Sequence, residues 1–110
     1  MTLPPPTGEQ FTQRAALWRW TTASGAGLIF VRFTDPVAGE ISTLALMRRL
    51  EGGHRRGWGS LKVMAEIGAT RWATSIFPGN EASWLLPVKA GVRKAEGIAE
   101  GDEVDVSIEL

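Results

Sequence analysis

Residues 83–110 read SWLLPVKAGVRKAEGIAEGDEVDVSIEL, and the pattern of this stretch decides the fold. At its end Val104, Val106, Ile108 and Leu110 alternate with Glu103, Asp105, Ser107 and Glu109. A period of two sends successive side chains to opposite faces, so this is a strand that buries one face and solvates the other. Upstream, Trp84-Leu85-Leu86 reads as a short strand and Pro87 as the opening of a short helix. In that helix Val88, Val92 and Ala95 share one face while Lys89 and Arg93 share another. Gly97 suits the left-handed position that ends a helix, with Ile98 folding back onto Val92, and Gly101-Asp102 makes the last turn.

The same signals extend outward from this stretch. Leu61, Val63, Ala65 and Ile67 alternate with Lys62, Met64, Glu66 and Gly68, which predicts a strand with one face buried. Gly68-Ala69-Thr70 turns the chain, Arg71 to Phe77 returns as the hairpin partner, and Pro78-Gly79-Asn80-Glu81 turns it again. Phe11 to Thr21 reads as one strand carrying Leu17, Trp18 and Trp20, and Leu28 to Phe33 as the next. Asp35-Pro36 has the form of a helix start. Val37, Ile41, Leu44, Met47 and Leu50 then recur at helical spacing, predicting one apolar stripe on a helix that ends at Gly52-Gly53. His54 to Gly59 is a loop. Two units therefore run strand, proline, helix, glycine, strand. Paired about a pseudo-two-fold axis, they would close a small barrel and cover most of its sheet edges.

Several segments also carry a family resemblance. They are Gly57-Trp58-Gly59-Ser60-Leu61-Lys62-Val63, Thr74-Ser75-Ile76-Phe77-Pro78, Leu85-Leu86-Pro87-Val88-Lys89-Ala90, Val92-Arg93-Lys94-Ala95-Glu96-Gly97-Ile98 and Gly101-Asp102-Glu103-Val104. In combination, and over nearly the whole chain from Phe11, they resemble a bacterial family known only as a domain of unknown function. The resemblance implies a mainly β fold, a small double-split β-barrel capped by one longer and one short α-helix, and it implies no activity. The last third is also similar to the half-barrel of swapped-hairpin transition-state regulators and antitoxins. Their Ile-Pro, helical Arg, Gly-Ile, Gly-Asp and final valine-rich strand correspond to Leu86-Pro87, Arg93, Gly97-Ile98, Gly101-Asp102 and Val104 to Leu110. Those relatives build one barrel from two short chains and bind DNA through basic residues. Here both halves lie in one chain, a long helix is inserted, and the first half lacks a Gly-Asp turn.

Composition narrows the function. The chain has 110 residues and no cysteine, which leaves room for one core and excludes disulfides, thiolate metal sites and a cysteine nucleophile. The expected layout is a lead-in at residues 1–8 and a single barrel domain over 9–110. The opening MTLPPPTGEQ holds no apolar run, so neither signal peptide nor membrane anchor is expected, and the cytoplasm is the expected address. His54 is the only histidine and sits in a basic, glycine-flanked loop, where a solvated side chain is the default over a triad member. Glu100, Asp102, Glu103 and Asp105 lack calcium-loop spacing; they read as solvated charges that keep an edge strand from pairing. Ser24-Gly25-Ala26-Gly27 is followed by neither helix nor lysine, so it is a hairpin turn rather than a phosphate cradle. No catalytic constellation, metal site or cofactor motif stands out, and a binding role is expected in place of an enzymatic one.

Net charge is zero but segregated: residues 48–94 carry nine basic and three acidic side chains, and residues 95–110 carry six acidic and none basic. Lys89 and Arg93, joined by Lys62 and Ser75 if the central hairpin packs beside their helix, would suit an anionic ligand, small or macromolecular. The bland counterpart is that Lys89, Arg93 and Lys94 are exposed or neutralise the acidic final strand. DNA binding through Arg48, Arg49, Arg55 and Arg56 is the alternative function. Trp18 and Trp20 share one side of their strand and are read as core, with the floor of a pocket at the barrel mouth as the alternative. Trp58, between two glycines, is expected to be partly exposed. The assembly is expected to be a monomer or a weak homodimer.

Overall fold

The computed structural model describes residues 9–21, 23–25, 27–52 and 59–110, with the backbone alone for residues 48, 49, 51 and 52. Its strands are β1 (Gln10–Ala16), β2 (Trp18–Thr21), β3 (Gly27–Phe33), β4 (Leu61–Ile67), β5 (Thr70–Pro78), β6 (Trp84–Pro87) and β7 (Glu103–Glu109). Helix α1 (Val37–Gly52) follows β3, and α2 (Ala90–Glu96) follows β6. The strands form one antiparallel sheet in the order β1-β7-β4-β5-β6-β3-β2. The fold is mainly β, a small double-split barrel capped by one longer and one short helix.

The sequence pattern predicts one strand from Phe11 to Thr21, and the structure divides it at Leu17. β1 pairs with β7 and β2 with β3, so one length of chain supplies both ends of the curled sheet. Leu17 is the junction. Its N–H donates to Asp102 O at 2.9 Å and its carbonyl accepts from Gly101 N at 2.7 Å, while its side chain is sealed in the core. The Gly101-Asp102 turn thus does more than reverse the chain, because it clamps the point where the first strand changes partner.

The pairing is two-fold in its logic. β3 pairs with β6 and β4 with β7, each joining equivalent strands of the two strand-helix-strand units. β5 pairs first with β4 and then with β6, as the β1–β2 length pairs first with β7 and then with β3. The inner faces meet in one core: Val104, Val106 and Ile108 of β7, Val63, Ala65 and Ile67 of β4, Val31 and Phe33 of β3, and Leu86 of β6 are all buried. Each such aliphatic or aromatic side chain contributes about 1.5–3 kcal/mol by leaving water.

Both helices depart from expectation in instructive ways. α1 starts as predicted, with Gly39 N donating to Asp35 Oδ1 at 3.0 Å, and it buries Ala38 and Ile41. The stripe fails further along, where Met47 and Leu50 are exposed. Leu44 and Ala45 still pack on the core, so the change comes in the last turns of the helix; periodicity tells which residues share a face, not what covers that face. α2 does not open at Pro87. That residue still stands opposite Phe30 in the sheet, Val88 N donates to Ile29 O at 2.9 Å, and Lys89 is the N-cap residue. β5 pairs only with Trp84 and Leu85, so no ladder bond is waiting for the N–H that Pro87 lacks. The end of α2 follows the sequence: Gly97 has φ 65°, Ile98 N donates to Arg93 O at 3.0 Å, and Ile98 packs on the core.

Candidate functional site

Alternation along β2 and β3 sends one set of side chains outward as firmly as it sends the other inward. Val31 and Phe33 are buried, so Arg32 between them faces out, as does Phe30. Leu17, just before β2, points in, and on β2 Trp18 and Trp20 fall on the opposite face. The register then brings them together, with Trp18 opposite Phe30, Trp20 opposite Leu28, and Arg32 opposite Leu85. These residues, with Phe77, wall a cleft of about 400 Å³ on the outside of the barrel. Trp20 is 50 % exposed and Phe77 39 %. The reading of Trp18 and Trp20 as core is therefore overturned; they do line a pocket, but on the outer face of the barrel rather than as the floor of its mouth.

The rings in this cleft are ordered. Trp18 and Phe30 meet edge to face with centroids 4.1 Å apart, and the Arg32 guanidinium lies 4.6 Å from the Trp18 ring centroid. Arg32 Nε is buried and finds no hydrogen-bond partner among the described residues. Leaving a buried donor unsatisfied costs about 1–3 kcal/mol, so Arg32 is held at a cost that its packing on Trp18 only partly offsets.

Lys62 and Ser75 stand directly opposite each other on β4 and β5, and they line a shallow groove with Phe77 and Pro87. Lys89 and Arg93 line a neighbouring groove of about 300 Å³. The two grooves share Ala73, Thr74 and Pro87, and Pro87 also borders the aromatic cleft. The predicted quartet thus lies on one connected surface, although not in one tight cluster. Arg93 is partly committed elsewhere, since its Nε donates to Val88 O at 3.1 Å and braces α2 against the end of β6. Lys62 and Lys89 are exposed and make no ion pair among the described residues. Among the described residues, no acidic one lines any of the three depressions.

The family model that matches the chain covers residues 14–108. The chain belongs to the family described as domain of unknown function DUF1905. No curated protein and no solved structure matches it.

In this DUF1905 chain the acidic strand is served by other cations than those expected. Arg14 bridges Glu103 at 3.3 Å and Asp105 at 3.2 Å, and Arg71 reaches Glu109 at 3.3 Å. Asp105, through its hydrogen bond and charge, and then Glu103 push the Arg14 guanidinium up from its ordinary pKa. β7 is also an interior strand, with β1 on one side and β4 on the other, so its charges do not guard an edge as predicted. Asp102 has a local task, accepting Ala99 N at 2.8 Å. Among the described residues no group of acidic or histidine side chains is placed to hold a metal ion, and no helix is long and apolar enough to cross a membrane. His54, Arg55, Arg56 and Trp58 lie outside the described residues, as do the side chains of Arg48 and Arg49.

Proposed function

We propose that this chain is a binding module rather than an enzyme, and that it recognises an anionic ligand through Lys62, Ser75, Lys89 and Arg93. The observation that carries this reading is the division of charge on the barrel. The carboxylates of β7 are matched by Arg14 and Arg71, whereas Lys62 and Lys89 flank connected grooves that no acid among the described residues lines. Two ammonium groups, a hydroxyl and a guanidinium on one surface offer the donors that a phosphate or carboxylate takes. Arg93, braced on Val88, serves as a fixed positive charge, and Lys62 and Lys89 as adaptable ones.

The test is thermal stabilisation by inorganic pyrophosphate, read for the full chain and for a Lys62→Ala, Lys89→Ala variant. Both lysines are exposed and make no ion pair among the described residues, so the variant is expected to keep its fold. Stabilisation by a ligand grows with its concentration relative to Kd. The proposal expects that stabilisation in the parent and its loss in the variant; equal stabilisation of both proteins overturns it. A duplex DNA arm separates the other function. Binding to random duplex that falls steeply with salt and survives the double substitution would move the site to Arg48, Arg49, Arg55 and Arg56.

A further inference from the structure

We propose that the aromatic cleft over β2, β3 and β6 is a second binding site, one that takes a planar aromatic ring carrying a carboxylate or phosphate, with Arg32 as its anion-binding group. This site borders the basic grooves at Leu28, Phe77 and Pro87, but its anion-binding group is a different one, so it is tested apart from them.

The first support is the state of Arg32. Its backbone is fixed in an interior strand between the buried Val31 and Phe33. Its guanidinium carbon lies over the Trp18 ring, 4.6 Å from the centroid, and the side chain lines the cleft. Nε is buried without an acceptor, and no acidic side chain lines the cleft, among the described residues. A guanidinium stacked on an aromatic ring at the wall of a cleft is a group that the two oxygens of a carboxylate or phosphate match.

The second support is the wall opposite. Trp20, Leu28 and Phe77 present apolar area to solvent, each more than a third exposed, although all three lie in an ordered sheet. Such surface suits a flat, apolar ring, which gains by stacking where an extended polar chain would not. The volume of about 400 Å³ lies within the range of small-ligand sites, which runs from about 300 to 1,000 Å³. It favours a compact ring with a short acidic arm over a macromolecular segment. A second copy of the chain is the competing occupant, and it would bring apolar area but has no reason to carry an anion to Arg32.

The probes are indole-3-acetate and adenosine 5′-monophosphate, each joining ring and anion, with adenosine as ring alone and inorganic phosphate as anion alone. Binding is followed by the indole N–H signals of Trp18 and Trp20 in nuclear magnetic resonance titrations. At least one ring-anion probe is expected to bind about tenfold or more tightly than either half alone. Arg32→Met keeps the side-chain length and packing, and is expected to lose that tenfold while adenosine binding is unchanged. Trp20→Ala, at a half-exposed position that the fold does not need, is expected to weaken both ring-anion probes. Lys62→Ala, Lys89→Ala is expected to leave these titrations unaltered. Four results overturn the proposal: no shift of either indole signal at millimolar probe, equal affinity for adenosine and its monophosphate together with no response to indole-3-acetate, unchanged binding in both Arg32→Met and Trp20→Ala, or concentration-dependent self-association that broadens the two indole signals without any probe effect.

Discussion

Replacing Leu17 with alanine tests the junction on which the curled sheet depends. Leu17 is 1 % exposed, and both of its backbone polar groups are fastened to the Gly101-Asp102 turn. That fastening prevents the chain from sinking into the space the side chain leaves, so the cavity persists. Leucine-to-alanine changes in cores cost about 2.7–5.0 kcal/mol, rising with the cavity that remains. A rigid site belongs in the middle to upper part of that span, about 4 kcal/mol, equivalent to a fall in Tm of roughly 15–25 °C for a domain of this size. The assay is equilibrium urea unfolding, in which a lower midpoint with an unchanged slope reports lost stability rather than a changed denatured state. Leu50→Ala is the internal control: at 72 % exposure, its removal should fall within about 0.5 kcal/mol of the parent. If the two substitutions cost the same small amount, Leu17 is not a sealed junction and the account of how the strand changes partner is wrong.

Two further substitutions probe the local devices. Gly97→Ala forces a side chain into a left-handed backbone at φ 65° with open space around it, so the cost is conformational alone, about 1–2 kcal/mol. Gly97→Asn should recover part of it, because asparagine tolerates that conformation; equal urea midpoints for alanine and glycine would refute this. Asp35→Ala removes the acceptor of the Gly39 N–H and should lower stability by about 1 kcal/mol, measured in the same way, with no loss if α1 is held by packing alone.

Much of this architecture was legible because alternation is a strong signal wherever one face is buried. Val104, Val106, Ile108 and Leu110 declared the last strand, Leu61 to Ile67 the central one, and Gly97-Ile98 the end of α2. The misreadings share a physical origin, since they concern what lies beyond the element itself. The change of partner at Leu17 is fixed by its bonds to the distant Gly101-Asp102 turn, which the spacing along the first strand does not report. Nothing in the spacing of Met47 and Leu50 tells that they are left exposed. Pro87 looked like a helix start because its missing N–H is harmless there, and it is equally harmless at a strand end that β5 does not reach. The aromatic cleft had a usable sign: with Phe11 and Leu17 in phase, Trp18 and Trp20 must face the other way, as must Arg32 between Val31 and Phe33. Tryptophan's bulk argued for the core, and phase was the better guide. Lys62, Ser75, Lys89 and Arg93 were placed on one surface by the hairpin register, but the engagement of Arg93 with Val88 depends on where α2 begins, which the sequence pattern misplaced.

The central claim is that the outward face around Pro87, and not the acidic strand, is where this protein meets its ligand. The most direct measurement is a backbone amide shift map of the full chain titrated with inorganic pyrophosphate. The account predicts that the signals of Lys62, Ser75, Lys89 and Ala90 move together and saturate, while those of Glu103 to Glu109 stay still. Saturable shifts confined to the region of Arg14 and the final strand, or no shift at Lys62 and Lys89 at millimolar pyrophosphate, would contradict it.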